Sequence, residues 1–139
     1  SKTSADRASA PAASPRVLVI DDSAFFRNML KPLLTAAGYR ATVAPDAETA
    51  LEYREEGMQF DLIISDIEMP GLSGFDLAEE LRSGGAWADV PLIALSSHST
   101  DCDFERGRQA GFNDYVAKLD REALLNALND QLSIRSNAA

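Results

Sequence analysis

Five short apolar runs, alternating with five stretches of helical periodicity, predict an α/β fold. The expected architecture is a doubly wound, five-stranded parallel sheet with helices on both faces. Two further observations support it. The runs are mostly continuous rather than alternating, as strands covered on both faces require. The connections are short and carry no hairpin signal, so consecutive strands are joined by crossovers.

The elements follow in order. Residues 1–15, SKTSADRASAPAASP, are Ala-, Ser- and Pro-rich without periodicity and read as a flexible linker or tail. With no initiator methionine, this leader is expected to join the chain to something longer. The domain is expected over 16–133, with 134–139 as a C-terminal tail. VLVI (Val17 to Ile20) reads as the first strand. Phe26, Met29, Leu30, Leu33, Leu34 and Ala37 follow at helical spacing, Gly38 stops that helix, and Pro32 is expected to weaken or kink it. ATVA (Ala41 to Ala44) is a weaker strand, and Asp46 caps a helix carrying Ala47, Ala50, Leu51 and Arg54 on one face. FDLIIS ends at Ser65 and Asp66, before a helix from about Gly74 with Leu77, Ala78 and Leu81 inward. PLIAL (Pro91 to Leu95) is the fourth strand, followed by a polar helix over roughly Thr100 to Ala110. YVA (Tyr115 to Ala117) is the fifth, and a last helix from Asp120 buries Leu124, Leu125, Leu128 and Leu132.

Composition narrows the function. At 139 residues, 45% hydrophobic and 25% charged, the chain is expected to form one ordinary globular domain. A net charge of −9 argues against a nucleic-acid partner, which needs a basic surface. No apolar run reaches the ~20 residues of a membrane span, so membrane insertion is not expected. The single cysteine, Cys102, excludes an internal disulfide framework and fits a cytoplasmic location.

In a parallel sheet the C-terminal strand ends share one edge, where ligands bind. Strand one ends in Asp21-Asp22, strand three in Asp66, strand four in Ser96-Ser97 and strand five in Lys118. Taken singly, each has a plain reading as a turn, cap or surface residue. Together they place a carboxylate cluster, a hydroxyl and an ammonium on one edge. Crowded carboxylates repel one another and invite a divalent cation such as Mg²⁺. The chemistry that uses this set is phosphoryl transfer to a carboxylate, with Asp66 as nucleophile and with Lys118 and Ser96 on the phosphoryl oxygens.

From Val17 to about Leu132 the chain resembles the receiver domains of two-component signalling, the response-regulator family typified by chemotaxis proteins. VLVIDDS, DLIISDIEMPGLSG, PLIALSS and YVAKLD carry the resemblance, in the family's order and spacing. It implies the flavodoxin-like strand order 2-1-3-4-5 and a role for each residue. Asp66 matches the phosphoacceptor, and Asp21 and Asp22 match the acidic pair that holds Mg²⁺. Glu68 matches the residue lending a backbone carbonyl to the metal. Ser96 matches the hydroxyl that follows the phosphoryl group, Lys118 the lysine that pairs with it, and Tyr115 the aromatic switch. The implied partner is a histidine kinase or histidine phosphotransfer domain, and the implied output face is made by helix four, strand five and helix five. The stretches ISDIEMPG and YVAKLDREAL resemble receivers fused behind chemotaxis-type hybrid histidine kinases, where a receiver acts as phosphate sink or autoregulator. Two positions depart from the family pattern. Leu119 stands where proline, often cis, is common; a cis bond without proline costs about 2.5–4 kcal/mol. Ser96 replaces the commoner threonine.

Other readings are weighed against this one. An aspartate-nucleophile phosphatase of the haloacid dehalogenase kind needs a second aspartate where Glu68 stands. A flavodoxin-like cofactor binder needs a phosphate loop where DDSAF would repel phosphate. His98, the single histidine, reads as an exposed loop residue, Cys102 as inert and Trp87 as packing. Glu52, Glu55 and Glu56 read as a solvated helix face.

Overall fold

The computed structural model describes residues 14–97 and 101–138. Strands β1 (Arg16–Ile20), β2 (Arg40–Ala44), β3 (Leu62–Asp66), β4 (Leu92–Ser96) and β5 (Asp114–Ala117) form one sheet, ordered β2-β1-β3-β4-β5. All four pairings are parallel, as expected from the sequence. The helices are α1 (Ala24–Ala36), α2 (Ala47–Glu55), α3 (Gly74–Arg82), α4 (Asp101–Ala110) and α5 (Arg121–Ala138).

The continuous apolar runs are explained by two cores. Val17, Val19, Leu62, Ile64, Ile93 and Leu95 point to the face covered by α1 and α5, where Phe26, Leu30, Leu34, Leu124 and Leu128 meet them. Their alternate neighbours Leu18, Ile20, Ile63, Leu92 and Ala94 point to the other face, against Ala47, Ala50, Phe75, Leu77 and Leu81. Successive strand side chains point to opposite faces, so the middle positions of the central strands are apolar on both.

Helix α1 contains Pro32 and continues through it to Ala36. Proline deprives only the Asn28 carbonyl of its helical partner, and both residues are exposed, so water can satisfy it. Helix α5 runs to Ala138, past residue 133 and through most of the stretch read as a tail. On that helix Leu124 and Leu128 are buried while Leu125 and Leu132 are only partly so, with Ala127 taking the remaining inward place. Asp120 begins α5 from outside, accepting the Ala123 N–H on Oδ1. Helix α4 starts at Asp101, and Thr100, like His98, lies outside the described residues.

Two side chains fasten the far end of the molecule. Trp87 is buried edge-on to Phe60, 5.4 Å between ring centres, and donates its indole N–H to the Met58 carbonyl at 2.9 Å. That matches its expected packing role. Arg82 uses every guanidinium donor, on the carbonyls of Ala88, Val90 and Gly111 and on Asn113 Oδ1. It thereby ties the end of α3 to the connections that lead into β4 and β5.

Gly74 opens α3 directly beneath β3, its N–H donating to the Ile67 carbonyl at 3.0 Å. A Cβ there would fall on the Asp66 carbonyl oxygen and lie 2.8 Å from Ile67 Cα. Only glycine lets α3 start so close to the end of β3. Gly74→Ala is therefore expected to destabilise the domain by about 1–3 kcal/mol, the usual cost of overpacking, read from urea unfolding midpoints.

Candidate functional site

The sheet register brings the singled-out residues to one edge. Ile20 lies beside Ser65, Asp66 beside Leu95, and Ser96 beside Ala117, so Asp21, Asp66, Ser96 and Lys118 emerge at neighbouring strand ends. Asp21, Ser65, Asp66 and Ser96 are the buried polar side chains among the described residues. Such burial is costly unless partners are present.

Lys118 is the main partner. Its Nζ lies 2.9 Å from Asp21 Oδ2 and 3.5 Å from Asp66 Oδ2. Its backbone N–H donates to the Ser96 carbonyl at 3.0 Å, anchoring the start of the β5–α5 loop to β4. Among the described residues no peptide bond is cis, so Leu119 follows Lys118 through a trans bond.

Charge in the cluster is not balanced. Carboxylate oxygens of Asp21, Asp22 and Asp66 all lie within 4.8 Å of one another, facing one ammonium. Burial, and then the charge of Asp21, push the Asp66 carboxyl up to about 6. The Glu68 N–H, 3.1 Å from Asp66 Oδ1, and the Lys118 ammonium oppose that rise. Burial pulls Lys118 down, but the Asp21 and Asp66 carboxylates outweigh it and hold the ammonium above the ordinary lysine value.

Asp21 is held from several sides. Its Oδ1 accepts the Ser23 N–H at 2.9 Å, and its carbonyl accepts from the Arg27 guanidinium at 2.6 Å. Its Oδ2 is buried beside Lys118 yet makes no hydrogen bond of good geometry. An under-satisfied buried oxygen within reach of two further carboxylates is the donor set of a hard divalent cation. The residues present therefore fit Mg²⁺: Asp21 and Asp66 from buried positions, Asp22 from an exposed one.

The remaining expected residues fall around this cluster. Glu68 is exposed and reaches Asp66 through its backbone N–H. Tyr115 is buried on β5, and burial raises its pKa against the opposing pull of the nearby Ser96 hydroxyl. Its ring meets Phe104 edge-on at 4.8 Å and lies over Gly107, where a Cβ would come within 2.9 Å of Tyr115 Cδ2. His98 lies outside the described residues, as does the Cys102 side chain. Read from sequence, Phe26 and Gly74 have places in helices but no part in the site, and Ser23 and Arg27 have no place at all. Only Ser23 had a visible signal, a serine just before a helical run, and it caps α1 by accepting the Phe26 N–H.

Residues 17–129 match the response regulator receiver domain, and the chain belongs to that family. It is 40% identical over 123 residues to the gliding motility regulatory protein of Myxococcus xanthus, covering 86% of this chain and 16% of that one. Among solved structures it resembles chemotaxis protein CheY4 of Vibrio cholerae, at 30% identity and a TM-score of 0.79 over 85% of this chain and 98% of that one. It also resembles the receiver domain of a sensor histidine kinase of Pseudomonas aeruginosa, at 30% identity and a TM-score of 0.77 over 87% and 99% of the two chains. That structure holds a magnesium ion coordinated in the active-site cleft. The chain is thus a two-component receiver domain. Among its described residues no helix is long and apolar enough to cross a membrane.

The raised Asp66 pKa sets a pH dependence. From 3.8 in the unfolded chain to about 6 in the folded one, the native state holds the extra proton. Stability in Mg²⁺-free buffer should therefore fall as pH rises through that window. Asp66→Asn is expected to flatten the slope and to be more stable than the parent at pH 7 by on the order of 2 kcal/mol, measured by urea unfolding across the range.

Proposed function

We propose that the chain is a phosphorylatable switch in which Asp66 accepts a phosphoryl group from a histidine of a partner kinase or phosphotransfer domain. The observation that carries this reading is the buried Asp66 carboxylate, 3.5 Å from Lys118 and clustered with Asp21 and Asp22. An Asp66 oxygen attacks phosphorus, the phosphorus–nitrogen bond to histidine breaks, and an acyl phosphate results. Water later cleaves it and restores the carboxylate. The reaction stays on the chain's own aspartate, with no external substrate turned over.

Lys118 neutralises charge on the transferring group and keeps Asp66 aimed. Asp21, Asp22 and Asp66, with the Glu68 backbone carbonyl, would hold Mg²⁺. When bound, Mg²⁺ supplies positive charge to the phosphoryl oxygens. The Ser96 hydroxyl gains a strong acceptor once a phosphoryl group stands on Asp66. Its turn toward that group frees space beside Tyr115, and the face made by α4, β5 and α5 carries the change outward.

The likeness to a chemotaxis protein supports a chemotaxis-type relay. The likeness to a sensor-kinase receiver supports a place behind such a kinase, as phosphate sink or autoregulator. The test is intact mass after incubation with acetyl phosphate, with and without Mg²⁺, alongside phosphate release. One added phosphoryl group, or Mg²⁺-dependent phosphate release, is expected in the parent and absent in Asp66→Asn. An unmodified chain that releases no phosphate would overturn the reading.

A further inference from the structure

Lys118 has a neighbour outside the acidic cluster. Its Nζ lies 4.5 Å from the centre of the Phe26 ring, on the face where an aromatic quadrupole attracts a cation. The ring is buried, 4% exposed, and the lysine side chain is 15% exposed, so water screens the contact little. Phe26 is itself held from the cluster. Asp21 Oδ1 accepts the Ser23 N–H, and the Ser23 hydroxyl accepts the Phe26 N–H at 3.2 Å. The path from Asp21 through Ser23 and Phe26 returns through Lys118 to Asp21 Oδ2.

The other flank of the lysine offers little restraint. Leu119 is 83% exposed, and the loop's tie to β4 is the Lys118 backbone N–H. A four-carbon stem loses much rotamer freedom when its ammonium is fixed, so something must aim it.

We infer that Phe26 is the positioning residue of Lys118, its ring face holding the ammonium over the gap between Asp21 and Asp66. This rests on the reading of Asp66 as phosphoacceptor. The ring's hold does not depend on the Asp66 charge, so the ammonium stays in place while that carboxylate becomes an acyl phosphate.

The test compares the full chain with Phe26→Leu and with pentafluorophenylalanine at 26, which keeps the ring's shape but reverses its quadrupole. Two readouts are taken, the rate of phosphorylation by acetyl phosphate at saturating Mg²⁺ and the NMR shift of the Lys118 ε-methylene. The chain has three lysines, so assignment is tractable. Both variants are expected to phosphorylate about fivefold more slowly, the equivalent of ~1 kcal/mol at 1.36 kcal/mol per tenfold. The ring-current shift of the Lys118 methylene should disappear in both. If Phe26→Leu fails to fold, the fluorinated chain decides alone. Parent-like rate and shift in the fluorinated chain would overturn the inference. Should the parent itself accept no phosphoryl group, the phosphoacceptor reading fails, while the methylene shift still tests the contact between Phe26 and Lys118.

Discussion

The ammonium of Lys118, set between Asp21 and Asp66, is the interaction on which the working edge of the sheet depends. Two carboxylates at 0% and 2% exposure would otherwise face each other without a countercharge. At an effective dielectric of about 20, unit charges 4 Å apart repel by about 4 kcal/mol. Much of the local structure serves to hold that arrangement. β1 and β3 bring the two aspartates side by side, and β5 delivers the lysine from across β4. Gly74 lets α3 begin against Asp66, and Arg27 and Ser23 hold the Asp21 end of the cluster.

The countercharge is incomplete, and that incompleteness suits the chemistry proposed. One ammonium against three clustered carboxylates leaves the site favourable to further positive charge, and Asp21 Oδ2 retains unused accepting capacity. Proteins carry local conflicts of this kind mainly where function requires them. The buried Ser96 lies near Tyr115, whose ring lies against Phe104 and over Gly107 on α4, so a change at Ser96 has a short route to that helix.

The sheet and its edge were legible in the sequence because both write themselves locally. Strands covered on both faces leave runs such as VLVI and LII, and the residue after each run marks the edge. Asp21, Asp22, Asp66, Ser96 and Lys118 could be placed together from topology alone. What was not legible depends on contacts between distant segments. Phe26 looked like one more position in the apolar stripe of α1, because nothing in the sequence says that its ring lies under a lysine 92 residues later. Gly74 looked like a helix start, and the need for a missing Cβ appears only when α3 lies on β3. Arg82 drew no reading from the sequence, because its partners lie in the separate connections that lead into β4 and β5. The length of α5 was missed because its last turns carry few apolar residues.

At this edge an acidic cluster is two positive charges short of balance, and a divalent cation would supply both. The most direct measurement is the urea unfolding midpoint as Mg²⁺ is raised, in the parent and in Asp22→Asn, with acetyl phosphate absent. A cation that binds only the folded state stabilises it by RT ln(1 + [L]/Kd), about 2.7 kcal/mol at a hundredfold excess over Kd. The account predicts a midpoint that climbs with Mg²⁺ in the parent and is displaced to much higher Mg²⁺ in the variant, whose Asp22 charge is gone. A midpoint indifferent to Mg²⁺, or one that climbs equally in both chains, would contradict it.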